Sequence, residues 1–99
     1  MRKTWFITGS SRGLGRSITA AVLAKGDNVA ATARNPQQLE AFVKQYPDQI
    51  LALQLDVNNK AQIHKAVEQT VKHFGSIDVL VNNAGFGITG LSKSLQMSK

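Results

Sequence analysis

Four short apolar runs alternate with three helix-like stretches, and this alternation leaves the chain very few folds. The runs end or lie at Trp5-Phe6-Ile7, Val29 to Ala33, Ile50 to Leu55 and Val79-Leu80-Val81. Each is apolar almost throughout, as in strands buried on both faces. The stretches between them are about ten to sixteen residues, long enough for helices that cross over between parallel strands. Right-handed crossovers then predict a partial, doubly wound α/β sheet with four parallel strands in the order 3-2-1-4 and three helices.

The helices have recognisable ends. The first begins near Leu14, places Leu14, Ile18, Ala21 and Val22 on one face, and stops at Gly26. Asn35-Pro36 starts the second, with Asn as N-cap and Pro at the first helical position. Leu39, Phe42, Val43 and Tyr46 form its apolar stripe, and Pro47-Asp48 ends it. The third runs from about Asn59 to Phe74, burying Ile63, Val67, Thr70, Val71 and Phe74, with Gly75 as its stop. Residues 1–90 are expected to form one half-domain. Residues 91–99 are a poorly specified tail rich in Ser and Lys.

Composition narrows the function classes. A chain of 99 residues with 42% hydrophobic content supports one modest core. It has no cysteine, which excludes disulfides and thiolate metal sites, and no metal site is expected. The net charge of +6 invites a nucleic-acid reading. However, Lys25, Lys44, Lys60, Lys65, Lys72 and Lys93 are scattered, and the aromatics do not interleave with them, so no nucleic-acid partner is expected. The basic, apolar N-terminus begins like a signal peptide, but its apolar run ends at Thr8-Gly9. No stretch approaches membrane-spanning length. A cytoplasmic protein without membrane association is the expectation.

The segment Thr8-Gly9-Ser10-Ser11-Arg12-Gly13-Leu14-Gly15 leads from the first strand into the first helix. A glycine-rich turn there brings backbone close to a ligand and aims the helix's positive end at an anion, expected to be a dinucleotide pyrophosphate. Gly9 permits the tight turn, while Gly13 and Gly15 allow the pyrophosphate and the neighbouring strand to approach. Where the second strand ends, the sequence reads Thr32-Ala33-Arg34-Asn35, with no acid to bind ribose hydroxyls. Arg34 offers a guanidinium suited to a 2′-phosphate, and Arg12 approaches from the glycine turn. NADP(H) is therefore favoured over NAD(H). His64 and His73 on the third helix lack metal-ligand spacing and are expected to be exposed.

The glycine segment, Asp56-Val57 after the third strand and Asn82-Asn83-Ala84-Gly85 after the fourth together resemble the short-chain dehydrogenase/reductase family, over the chain up to about Gly90. The resemblance implies a Rossmann-type fold and an oxidoreductase that moves a hydride between nicotinamide and a carbonyl or alcohol. It places Gly9, Ser11, Arg12, Gly13 and Leu14 along the diphosphate and nicotinamide-ribose side. Asp56 would hold the adenine amino group, with Val57 beside the ring. Asn82 and Asn83 would support the sheet and contact ribose, and Ala84 and Gly85 would pass close to the cofactor. Read alone, Asp56 would instead be a helix cap, and Asn82-Asn83 a plain strand-end turn.

The family pattern breaks at the catalytic residues and again in the tail after Gly90. The resemblance implies a catalytic Ser and Tyr-x-x-x-Lys pair, which in that family normally lie further along the chain than residue 99. Tyr46 is the lone tyrosine and is followed by Pro47-Asp48-Gln49-Ile50. No catalytic residue is assigned, and the chain alone is expected to be inactive. The alternatives are a non-catalytic dinucleotide-binding module and the N-terminal piece of a split enzyme. The expected partners are the dinucleotide and either a complementing C-terminal chain or a second copy pairing through the fourth strand.

Overall fold

A computed structural model describes residues 2–83. Ala84, Gly85 and the tail 91–99 lie outside the described residues. The elements are strand β1 (Thr4–Ile7), helix α1 (Gly13–Lys25), strand β2 (Asn28–Ala33), a 3-10 turn (Pro36–Leu39), helix α2 (Glu40–Gln45), strand β3 (Ile50–Gln54), helix α3 (Lys60–Phe74) and strand β4 (Val79–Val81). The strands pair in parallel in the predicted order, β3-β2-β1-β4. Ile7 lies opposite both Ala31 and Val81, so the carboxyl ends of the strands come together along one edge.

Side-chain alternation along the strands builds two cores, one on each face. Phe6 of β1 and Ala30 of β2 join Leu53, Leu55, Ile63, Ala66 and Val67 beneath α3. Ile7, Val29, Ala31 and Ala33 face the other way, with Val22 and Leu23 of α1 and Leu39 and Phe42 beside α2. Phe6 is fully buried, which contributes about 1.5–3 kcal/mol.

Four details differ from the sequence expectation. Leu14 is 66% exposed and Ala21 is exposed; α1 buries Gly15, Thr19, Val22 and Leu23 instead. Apolar counting misplaces this face because a glycine and a threonine occupy it. The Thr19 hydroxyl is satisfied within the helix, donating to the Gly15 carbonyl at 2.8 Å. Val43 is 37% exposed, while Leu39 at the end of the 3-10 turn and Phe42 of α2 are buried. In α3, Val71 and Phe74 are half-buried, and Ala66 joins the buried face. β3 ends at Gln54, although the Leu55 N–H still donates to the Ala33 carbonyl at 2.9 Å.

The amino edge of the sheet is fastened by Asp27. Its carboxylate accepts from the Trp5 indole N–H at 3.1 Å and the Lys3 backbone N–H at 3.2 Å, and lies 3.6 Å from the Lys25 ammonium. The indole bond chiefly, and the Lys3 bond next, hold this carboxyl below its ordinary value of 3.8. A lowered folded-state value stabilises the fold above the unfolded value, and the effect is lost as pH falls through the folded one. Asp27→Asn should therefore lower the urea midpoint at neutral pH, with the deficit shrinking through an acid series. Trp5 fluorescence reports it directly. A deficit independent of pH would contradict this account.

Candidate functional site

The glycine turn after β1 is held from both sides by buried hydroxyls. Ser10 and Thr32 are buried and bond reciprocally: the Ser10 N–H donates to the Thr32 carbonyl at 2.9 Å, and the Thr32 N–H to the Ser10 hydroxyl at 3.3 Å. Both hydroxyls donate to the Ile7 carbonyl, at 2.9 Å from Ser10 and 3.1 Å from Thr32. On the β4 side, the Thr8 N–H donates to the Val81 carbonyl at 3.0 Å. The Asn83 N–H donates to the Thr8 hydroxyl at 2.9 Å, and the Asn83 side-chain amide to the Gly9 carbonyl at 3.4 Å. The Thr8 hydroxyl lies 3.5 Å from the Asn82 side-chain oxygen.

Two glycines of the turn are required for different reasons. Gly13 has φ +60° and open space where a side chain would go, so its constraint is conformational. A Cβ at Gly15 would overlap the Gly9 carbonyl and come within 2.6 Å of the Asn83 amide. Gly15 thus lets α1 seat against its own turn and the end of β4. Arg12 precedes α1 in extended backbone, no side chain caps the helix, and its first turn carries no acid. The positive helix end is left without a competing side-chain anion from that turn.

A cleft of about 310 Å³ opens along the carboxyl edge. Of the expected residues, Gly9, Ser11, Arg12, Arg34, Val57 and Asn83 line it. Gly13, Leu14, Gly15, Asp56 and Asn82 do not. Thr32, Ala33, Gln38 and Leu55 complete the lining. Sequence reading singled out none of these four, nor Ser10 as a brace. Thr32 carried one signal, as the polar residue in an otherwise apolar run. Ser10 carried none, since a serine in a glycine turn is ordinarily exposed. Asp56 does not cap α3. Its carboxylate accepts from the Asn58 N–H at 3.0 Å, and Asn59 is the cap, accepting from the Gln62 N–H at 3.1 Å. The Gln62 side chain reaches back to the Asp56 N–H at 2.7 Å.

His64 and His73 are exposed on α3, and the His73 ring meets Phe74 edge-on at 4.6 Å. Among the described residues no group of His, Asp and Glu is placed to hold a metal ion, and no helix is long and apolar enough to cross a membrane.

A parallel sheet, a glycine turn opening a helix and a cleft at the strands' carboxyl ends define a dinucleotide-binding α/β fold. The strand order reverses beside β1, where such folds bind their ligands. The chain belongs to the short chain dehydrogenase family, whose model matches residues 3–99. It is 44% identical over 98 residues to oxidoreductase BOA17 of Botryotinia fuckeliana, covering 98% of this chain and 36% of the relative. It is 39% identical over 98 residues to 2-(R)-hydroxypropyl-CoM dehydrogenase of Xanthobacter autotrophicus, covering 95% and 38%. A short-chain dehydrogenase structure from Streptomyces avermitilis superposes with a TM-score of 0.93 at 33% identity, covering 98% of this chain and 44% of that one. The chain therefore spans roughly a third of the length of these two curated relatives.

The two glycines should respond differently to a methyl group. Gly13→Ala should cost about 1–2 kcal/mol, the penalty of left-handed backbone. Gly15→Ala should reach or pass the top of the ~1–3 kcal/mol range for overpacking, because rigid backbone stands in the way. Urea unfolding of both variants ranks them. A Gly13→Ala cost equal to or above that of Gly15→Ala would refute the assignment.

Proposed function

We propose that this chain binds NADP(H) in preference to NAD(H), as the nucleotide-binding part of a hydride-transferring oxidoreductase acting on a carbonyl or alcohol. The observation that carries the preference is that Arg12 and Arg34 line one cleft with no carboxylate among its described lining residues. Neither guanidinium is ion-paired with a described residue. Two cations beside an uncapped helix end suit an anionic ligand, and a 2′-phosphate is the group that distinguishes the two cofactors.

In this reading Gly9, Ser11, Arg12, Gly13, Leu14 and Gly15 serve the diphosphate and the nicotinamide ribose. Arg34 takes the 2′-phosphate, and Asp56 and Val57 the adenine. Asn82 and Asn83 support the sheet and contact the ribose, and Ala84 and Gly85 pass close to the cofactor. Family membership and the glycine turn's bracing support these assignments. When bound, the nicotinamide supplies or accepts the hydride. This chain's residues bind and orient the cofactor, and the proton for a developing alkoxide must come from elsewhere. Tyr46 does not provide it, because it packs against the core beside α2 and no lysine follows it at the family spacing.

Titration of the chain with each cofactor tests the preference. Arg34→Ala should weaken NADPH binding roughly ten- to a hundredfold by removing a charge-assisted contact, with little change for NADH. Equal affinities in the parent chain would refute the preference.

A polypeptide of these 99 residues should show no NADPH-dependent reduction of aldehydes, ketones or quinones, followed as loss of nicotinamide absorbance. Turnover that is abolished by Gly13→Trp would show that a residue within the chain supplies the acid.

A further inference from the structure

Gln38 stands where the two arginines do not account for it. It lies in the 3-10 turn after β2 and lines the same cleft as Arg12 and Arg34, whereas its neighbour Gln37 does not. The turn itself is fixed. The Asn35 side chain accepts from the Gln37 N–H at 3.1 Å, and the Asn35 carbonyl accepts from the Gln38 N–H at 3.1 Å. Pro36 opens the turn, and fully buried Leu39 anchors its far end in the core. Gln38 is thus an exposed residue on a hydrogen-bonded turn, at the mouth of a cationic cleft. Exposure allows the residue to be changed without disturbing the core, and the turn keeps any replacement beside the cleft.

We propose that Gln38 is a specificity-determining residue that donates its side-chain amide to the substituent at the 2′ position of the adenosine ribose. The proposal rests on the reading of the cleft as a dinucleotide site with Arg34 at its ribose end. A neutral amide both donates and accepts, so it serves a phosphate oxygen or a ribose hydroxyl. A carboxylate at this position only accepts. It would repel a 2′-phosphate and draw the nearby guanidinium groups onto itself, while still accepting from a hydroxyl. An ammonium would do the reverse. The charge at position 38 therefore sets the ratio of the two affinities, with the arginines as a constant background.

The test titrates NADPH and NADH, by nicotinamide fluorescence, against the full chain and four variants: Gln38→Glu, Gln38→Lys, Gln37→Glu and Arg34→Ala. Circular dichroism melts check that each is folded. Gln38→Glu should weaken NADPH about tenfold or more, since it sets like charges together, while NADH stays within about twofold. Gln38→Lys should strengthen NADPH severalfold. Gln37→Glu introduces the same charge one residue away, outside the cleft, and should move either affinity by less than about twofold.

Equal effects of Gln38→Glu and Gln37→Glu, or equal weakening of both cofactors by Gln38→Glu, would overturn the proposal. If Arg34→Ala shifts the NADPH-to-NADH ratio and Gln38→Glu does not, Gln38 is not a selector and the cleft reading stands. If neither shifts the ratio, or the folded chain binds neither cofactor, the cleft reading fails and the proposal with it.

Discussion

The reciprocal pair between Ser10 and Thr32 is the interaction on which the rest of this structure depends. Both residues are buried, and a buried hydroxyl or amide left without a partner costs about 1–3 kcal/mol. Here each finds its partner across the β1–β2 boundary, and both hydroxyls converge on the Ile7 carbonyl. The glycine turn therefore cannot move without unmaking hydrogen bonds between strands. Its shape follows from the sheet, and α1, which begins three residues after Ser10, follows from the turn.

The two edges of the sheet are built for different purposes. At the amino edge, Asp27 gathers the Trp5 indole and the Lys3 backbone, and the Asp78 carboxylate accepts from the Thr4 N–H at 2.8 Å. The Gln49 side chain adds bonds to the Leu23 and Asp27 carbonyls, both at 3.0 Å. These contacts close the ends of helices and strands. The cleft at the carboxyl edge is lined by two arginines, a glycine, two hydroxyls and two amides beside apolar residues.

Family membership follows from a match over nearly the whole chain, and the sheet agrees with it strand for strand. The chain spans roughly a third of the length of the two curated relatives described above. The cationic cleft and the glycine turn are local properties of residues 8 to 38, with Leu55, Val57 and Asn83 closing the walls.

The parallel sheet, its strand order and the glycine turn were legible in the sequence, because each depends on local chemistry. Continuous apolar runs require burial on both faces, and a glycine between a strand and a helix permits backbone that other residues avoid. Arg12 and Arg34 were legible for the same reason, as charges next to a turn and a strand end. Only the tertiary structure decided which face of α1 is buried, because Gly15 and Thr19 belong there through close approach and an internal bond that no hydrophobicity count detects. It also decided that Ser10 and Thr32 brace the turn and that Gln38, not Gln37, reaches the cleft. Those outcomes rest on contacts between strands far apart in sequence and on the pitch of a 3-10 turn, and neither is written in the residues on its own.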